Sequence, residues 1–89
     1  MFYVYILQSS KDTKLYAGYT SDLRRRFSEH NDGLNKSTKP RVPFKLLYYE
    51  AYSSQADAER REQMLKKSAG ARTALKRRLT TGLRSGHFV

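Results

Sequence analysis

Cysteine is absent from this chain of 89 residues, which excludes disulfide bonds and cysteine-based zinc sites. That absence is compatible with a reducing compartment. Long apolar runs are absent too, because the apolar segment at residues 1–7 is far too short to cross a bilayer and lacks the basic region of a signal peptide. We therefore expect a soluble, cytoplasmic protein that does not enter a membrane.

The motifs of several common enzyme classes are also missing. The chain has no glycine-rich phosphate-binding loop and no nucleophile elbow. Its two histidines, His30 and His87, are too few and too far apart in sequence to predict a pair of metal ligands. Nucleotide-binding loops, serine-hydrolase chemistry and histidine-based metal centres are therefore disfavoured.

Acidic residues are scarce, with 8 Asp and Glu against 18 Lys and Arg, for a formal net charge of +10. So strong a positive field on a small protein favours a polyanionic partner, most simply nucleic acid. An acidic membrane surface is the competing partner, but no long segment pairs a bulky apolar face with a basic one. We expect nucleic acid and no membrane, although charge alone does not indicate catalysis.

Three segments alternate or cluster apolar residues as strands do. In residues 2–8, Tyr3, Tyr5 and Leu7 share one face, and the β-prone residues 14–19 should pair with this segment as an antiparallel hairpin. The aromatic-rich residues 44–52 predict a third strand. The apolar share of 38% supports one small core.

Helical spacing predicts helices at residues 22–33, 55 to about 68, and 71 to about 81. Gly33 should end the first helix, and Gly70 should separate the second from the third. Residues 31–41 read as a polar loop without regular structure because of Pro40 and the proline after it. We predict an α+β fold of order β-β-α-β-α-α, with one domain over residues 1–83 and a tail at 84–89.

Two tyrosines on the predicted hairpin are candidates for proton chemistry. If Tyr5 pairs opposite Tyr16, the two rings project from the same face and lie in contact. A free phenol has a pKa of about 10, so a neighbouring cation or metal would have to favour the phenolate for it to act as a base near neutral pH. The alternative is ordinary aromatic packing across the two strands.

Arg26 and His30 lie one helical turn apart on the first predicted helix. The guanidinium could neutralise charge that develops on a reacting phosphate, and the imidazole could exchange a proton. The alternative is a solvated basic face formed by the arginines of this segment, with His30 capping the end of the helix.

Glu62 is predicted to lie on the same stripe of its helix as Ala58, Leu65 and Ala69. A fully buried, unpaired carboxylate costs several kcal/mol, so it needs a cation: Arg26, a lysine or a metal ion. Hard divalent ions such as Mg²⁺ prefer carboxylate oxygen and keep most of their waters. The alternative is a structural ion pair with an arginine.

Two basic segments could contact a phosphate backbone. The loop at residues 36–41 combines three cations with two hydroxyls, and further cations lie on the later helices. The predicted nucleic-acid-binding residues are Arg25, Lys36, Lys39, Arg41, Arg61, Lys66 and Lys67. The alternative is that these residues are solvated surface charges.

In order and spacing, these motifs resemble the GIY-YIG nuclease superfamily and are closest to its small single-domain bacterial members. The matching pieces are Tyr3-Val4-Tyr5, Tyr16-Ala17-Gly18, Arg26, His30 and Glu62. The resemblance covers roughly residues 2–68. It departs from the family pattern at Tyr3, where the first motif has glycine, and at Val4 and Ala17, where the two motifs have isoleucine.

The resemblance implies hydrolysis of a nucleic-acid phosphodiester with one divalent metal ion, Mg²⁺ as first choice and Mn²⁺ as second. It gives Tyr5 the activation of the attacking water and Tyr16 the positioning of water and phosphate. It gives Arg26 the stabilisation of the transition state, Glu62 the metal, and His30 a supporting role in proton transfer. A three-stranded antiparallel sheet flanked by helices is the implied fold.

The resulting hypothesis is a metal-dependent endonuclease that acts on DNA. The rival is a non-catalytic nucleic-acid-binding module, associated with RNA or the ribosome. Glu62 separates the two, because a carboxylate inside a basic site repels phosphate unless a metal ion intervenes. No targeting module is recognisable in the chain, so a targeting protein partner is a further hypothesis.

Overall fold

A three-stranded antiparallel sheet forms the centre of the molecule, as the strand patterns predict. The structure is a computed structural model that describes residues 1–79 and residue 88. The strands are β1 (Phe2–Ser9), β2 (Leu15–Thr20) and β3 (Phe44–Tyr52). Strand β1 lies between the other two, in the order β2-β1-β3. The predicted α+β class and order of elements are confirmed.

Three helices flank the sheet: α1 (Leu23–Asn31), α2 (Gln55–Lys67) and α3 (Ala69–Arg78). Asp22 caps α1 by accepting a hydrogen bond from the backbone N–H of Arg25. Gly33 follows α1 with a φ of +73°, a conformation that glycine adopts without strain. No helix within residues 1–79 is long and apolar enough to cross a membrane.

The structure corrects two details of the predicted helices. Gly70 does not separate α2 from α3, because it lies inside α3, and the break falls at Ser68, whose backbone is extended. The Ser68 hydroxyl caps α3 by accepting from the N–H of Ala71. The loop after α1 is also not wholly irregular, since Lys39–Arg41 form one turn of 3-10 helix with Pro40 near its start.

The last helix ends at Arg78, with Leu79 as its C-cap, and not near residue 81 as predicted. The predicted tail at residues 84–89 lies outside the described residues, except for Phe88, which forms an isolated parallel bridge with Leu15. A single domain over residues 1–83 therefore stays a prediction.

Both faces of β1 are buried, each against different helices. On one face, Val4 and Ile6 pack with residues of α2 and α3 that include Ala58, Leu65 and Leu75. On the other face, Tyr5 and its neighbours pack against α1 and the start of β3. Each fully buried large aliphatic side chain contributes about 1.5–3 kcal/mol. The sheet is therefore a fixed platform between α1 and α2.

The hairpin register differs from the predicted one. Tyr5 lies opposite Gly18, and Tyr16 lies opposite Leu7, so the two tyrosines are diagonal neighbours and not direct partners. The turn sets this register, because Ser9 accepts from the N–H of Thr13 and donates its own N–H to Lys14. The rings still share a face, with centroids 6.4 Å apart.

Candidate active site

The position of Tyr5 depends on the absence of a side chain at Gly18. The Tyr5 ring crosses over Gly18 on the neighbouring strand, and a Cβ atom at residue 18 would clash with the phenol oxygen and with Cζ. Tyr5 itself is almost completely buried. The glycine of the Tyr16-Ala17-Gly18 motif therefore provides the space in which the phenol lies.

His30 joins Tyr5 to the loop that follows α1. Its Nε2 lies 2.9 Å from the Tyr5 hydroxyl, and its Nδ1 lies 2.9 Å from the hydroxyl of Thr38. The imidazole centroid lies 5.1 Å from that of Tyr16. His30 and Thr38 are both fully buried. A connected set of hydrogen bonds therefore runs from Tyr5 through the imidazole to Thr38.

The hydrogen bonds around Thr38 indicate which imidazole nitrogen carries the proton. The Thr38 hydroxyl donates to the backbone carbonyl of Asn35 over 3.4 Å. Its oxygen is then the acceptor for an Nδ1–H of His30, which leaves Nε2 without a proton. The Tyr5 hydroxyl therefore donates to Nε2.

Both ends of this hydrogen bond are uncharged at neutral pH. Burial raises the pKa of Tyr5 to about 12, although a hydrogen bond with Arg26 acts in the opposite direction. Burial, together with the positive charge of Arg26, lowers the pKa of His30 to about 4. Arg26 therefore favours a phenolate at Tyr5 and disfavours an imidazolium at His30.

Arg26 lies on α1 one turn before His30, as its spacing predicts. Its hydrogen bond with Tyr5 is the main cause of its raised pKa. Its Nη1 also lies 3.3 Å from Oε1 of Glu29, and the side chain remains partly exposed. The guanidinium therefore borders a polar cleft of about 400 Å³ that is also lined by Tyr19, Arg25 and Glu29.

Glu62 lies on α2, which packs on the opposite face of the sheet from α1, and its contact with Lys66 brings it to the side of Tyr16. Its side chain is 13% exposed, and Ala58 and Leu65 on the same stripe are buried, whereas Ala69 is exposed. Burial is the main cause of the raised pKa of Tyr5, and the negative charge of Glu62 adds to it.

Lys66 lies between Glu62 and Tyr16. Its Nζ is 3.3 Å from Oε2 of Glu62 and 5.8 Å from the centroid of the Tyr16 ring. Within residues 1–79 and 88, no cluster of three or more histidine or acidic side chains could hold a metal ion. A single, partly exposed carboxylate does fit a hard divalent ion that keeps its waters and shares a phosphate oxygen of the substrate.

The structure separates the predicted nucleic-acid-binding residues into two groups. Four of them form ion pairs: Arg25 with Glu29, Arg41 with Asp12, Arg61 with Glu50 and Lys66 with Glu62. The other three, Lys36, Lys39 and Lys67, are exposed and form no salt bridge with any described residue. Lys36, Lys39 and Lys67 are therefore more available to contact a phosphate backbone than the four paired cations are.

Two residues of this site were not predicted from the sequence. Thr38 belongs to a loop without periodicity, so nothing in its spacing relates it to His30. Glu29 precedes His30 and pairs with both Arg25 and Arg26. The spacing could have predicted these ion pairs, because Glu29 lies three residues after Arg26 and four after Arg25 on one helix.

Comparison with known proteins supports the same set of motifs. A family profile described as the GIY-YIG catalytic domain matches residues 1–78. The chain belongs to the GIY-YIG family. This membership places it in a nuclease superfamily, as the resemblance of its motifs predicts.

Bacterial relatives are similar over most of this GIY-YIG domain. A UPF0213 protein of Streptococcus agalactiae is 48% identical over 65 residues, which cover 72% of this chain and 73% of that protein. A UPF0213 protein of Clostridium perfringens is 44% identical over 68 residues, covering 75% and 72%. The solution NMR structure of a UPF0213 protein from Bacillus halodurans matches with a TM-score of 0.56 and 34% identity, covering 92% of this chain and 88% of that one.

Proposed function

We propose that this GIY-YIG protein is a metal-dependent endonuclease that hydrolyses phosphodiester bonds in DNA. The observation that carries the proposal is the hydrogen bond of the buried Tyr5 hydroxyl with Nε2 of His30, which lies on α1 one turn after Arg26. Ordinary aromatic packing would not require a buried phenol to bond an imidazole that is itself bonded to a buried hydroxyl, that of Thr38. Tyr16 completes the site from the diagonal position on β2.

Glu62 is the residue that would hold the divalent metal ion, Mg²⁺ in the first instance and Mn²⁺ in the second. A bound ion would supply positive charge beside the scissile phosphate and would lower the pKa of nearby water. Lys66 pairs with Oε2 of Glu62, so the other carboxylate oxygen would be the one available to a metal ion. Substrate phosphate and water would provide the remaining ligands.

The other residues supply proton transfer and charge stabilisation. The attacking water gives a proton to the Tyr5 oxygen while the phenol proton moves to Nε2 of His30, so that no free phenolate forms, and Arg26 offsets the negative charge on that oxygen during the transfer. The water oxygen bonds to phosphorus, the phosphorus–oxygen bond to the leaving group breaks, and the leaving oxygen takes a proton from solvent. His30 releases its proton readily because its pKa is about 4. Arg26 also neutralises charge on the pentacovalent phosphate.

The direct test is the substitution Glu62→Gln, assayed with end-labelled single-stranded, duplex and forked oligonucleotides in Mg²⁺, Mn²⁺ or chelator. We expect cleavage by the parent protein with metal, and a loss of at least about a hundredfold in Glu62→Gln with the fold intact, because the amide is a poorer ligand than the carboxylate. Glu59→Gln is the matched control, since Glu59 lies on the same helix but bonds Tyr19.

Two outcomes would contradict the proposal in different ways. Equal cleavage by Glu62→Gln and the parent would remove Glu62 from the metal site. Binding of every oligonucleotide without cleavage under any metal condition would favour the rival function, a non-catalytic nucleic-acid-binding module. Preferential cleavage of RNA would support the proposed phosphodiester hydrolysis but would make RNA, and not DNA, the substrate.

A further inference from the structure

An open groove lies on the sheet face that α1 covers only in part. Its volume is about 460 Å³, and it is lined by Tyr3 and Tyr49 together with Leu23, Arg24, Phe27 and Leu46. We call this the aromatic groove. Tyr3 stands where the first GIY-YIG motif has glycine, so its ring adds a wall that a glycine would not provide.

Tyr3 on β1 and Tyr49 on β3, which line the aromatic groove, differ from Tyr48 and Tyr52 on β3. Tyr49 is 53% exposed, and its ring meets Tyr3 edge to face at a centroid distance of 6.0 Å. Neither hydroxyl has a hydrogen bond to any described residue, whereas Tyr48 and Tyr52 both donate to Glu50. Tyr49, which is exposed, and Tyr3, which is half-buried, therefore offer aromatic faces to a partner.

Arg24 is the cation that lines the aromatic groove, and the carboxylate that also lines it, Asp22, is bonded to the N–H of Arg25 as the cap of α1. Arg24 is exposed and forms no ion pair within residues 1–79 and 88, unlike Arg25 and Arg26, which share Glu29. An unpaired guanidinium next to aromatic rings can pair with a phosphate and stack on a base. Together with the net charge of +10, this favours nucleic acid over an apolar peptide.

The aromatic groove adjoins the polar cleft that Arg26 borders. Ser21 and Asp22 line both this groove and the polar cleft that Arg26 borders. Tyr3 also precedes Tyr5 by two residues on the same face of β1, about 7 Å away along the strand. A strand held at Arg26 could therefore place a neighbouring base in the aromatic groove.

We propose that the aromatic groove binds one unstacked nucleobase of the strand that the active site cuts, with Arg24 on an adjacent phosphate. The inference that a nucleobase occupies this groove rests on the proposed nuclease function. A base inside a duplex is already stacked on both faces, so this site selects single-stranded, frayed or forked nucleic acid. Stacking on tyrosine tolerates every base, which predicts little sequence preference.

The test measures binding to three fluorescent probes of equal length: oligothymidylate, an abasic strand with the same backbone, and a duplex. Metal is omitted so that binding is separated from cleavage. We expect Tyr49→Leu, which removes the ring but keeps an apolar side chain, to weaken binding of oligothymidylate about tenfold and to leave the abasic probe unchanged. Tyr49→Phe should bind as the parent does, because it retains the ring.

Leu34→Ala serves as the control for a lost apolar surface, since Leu34 is exposed beyond the opposite end of α1. Equal losses on the oligothymidylate and abasic probes would overturn the inference, as would parent-like binding by Tyr49→Leu. A concentration-dependent dimer that Tyr49→Leu abolishes, without any change in oligonucleotide binding, would assign the groove to a second copy of the chain.

The outcomes also separate this inference from the proposed function. A parent protein that cleaves its substrates, with Tyr49→Leu unaffected in binding, would leave the nuclease intact and remove the base site. A parent protein that binds oligothymidylate through Tyr49 but cleaves nothing would leave the base site and remove the nuclease.

Discussion

At the scale of single residues, the candidate site depends on close packing at Gly18. The glycine has no positive φ in this structure, so its role is the space that it leaves for the Tyr5 ring and not a special backbone conformation. Gly70 lies in α3, where an added Cβ would meet only the Ser68 hydroxyl at 3.8 Å. Gly18 and Gly70 therefore allow a controlled comparison, because a methyl group fits at residue 70 but clashes with Tyr5 at residue 18.

We predict opposite effects of alanine at these two positions. Gly18→Ala should destabilise the protein by about 1–3 kcal/mol and reduce cleavage, because the new methyl group displaces the Tyr5 ring. Gly70→Ala should stabilise it by about 0.5–1 kcal/mol, since alanine is the better helix former. Urea denaturation and an oligonucleotide cleavage assay measure both effects. An unchanged Gly18→Ala protein would show that the ring can move aside at no cost.

Thr38 is predicted to fix the tautomer of His30. Thr38→Val keeps the shape but removes the acceptor for Nδ1–H, and an unpaired buried donor costs about 1–3 kcal/mol. We expect the imidazole ¹⁵N shifts of the parent to report the Nδ1–H tautomer, Thr38→Val to lose that signature and cleavage activity, and Thr38→Ser to retain both. If valine and serine give the same ¹⁵N pattern and activity, the Thr38 hydroxyl has no such role.

At the scale of secondary-structure elements, Glu50 ties α2 to the sheet. Both oxygens of Glu50 bond the Arg61 guanidinium, at 2.9 and 3.1 Å, and the hydroxyls of Tyr48 and Tyr52 donate to the same carboxylate. Because Arg61 precedes Glu62, this pair fixes the helix that carries the candidate metal ligand. The interaction is therefore structural, although the sequence predicted Arg61 as a contact to nucleic acid.

We predict that Arg61→Met destabilises the protein by about 2–3 kcal/mol, because it leaves the carboxylate of Glu50 without its cation. Arg60→Met is the control, since the Arg60–Asp57 pair is mostly exposed and should contribute less than about 1 kcal/mol. Thermal or urea unfolding measures both. Similar losses in the two variants would mean that the buried pair is no stronger than the surface pair.

The pH dependence of stability provides a second readout for the same pair. Burial alone would raise the pKa of Glu50, but the hydrogen bonds from Arg61 and the two tyrosines hold it below its usual value. The folded state therefore binds a proton less readily than the unfolded state does, and stability is lost as the pH falls through the carboxyl range below about 4.5. Arg61→Met should reduce this acid-induced loss.

The elements could be predicted from the sequence because their signals are local. Alternation in β1, the Gly33 stop and the stripe of Ala58, Glu62 and Leu65 each need only a few neighbouring residues. The pairing of Tyr5 with Gly18 could not be predicted, because the turn between the strands sets the register by its own hydrogen bonds. Which acid an arginine meets, as with Arg61 and Glu50, depends on packing between distant segments.

At the scale of the whole molecule, the net charge overstates the positive surface that is free for a polyanion. Six cations of the described residues have acidic partners within 4 Å: Arg25, Arg26, Arg41, Arg60, Arg61 and Lys66. Nothing in the sequence distinguishes these six from the exposed, unpaired cations such as Lys36 and Lys39. The unpaired group should therefore carry most of the dependence of nucleic-acid binding on salt.

We predict that the double substitution of Lys36→Gln and Lys39→Gln weakens binding to all oligonucleotide sequences alike and reduces the salt slope, log K against log [salt], by about 2. Cleavage at saturating substrate should not change, because neither lysine contacts Tyr5 or Glu62. Arg60→Gln is the control, since its guanidinium is already paired with Asp57 and its loss should alter the salt slope by less than 1. An equal slope in the parent and the double variant would show that the loop after α1 makes no phosphate contact and that the backbone follows another surface.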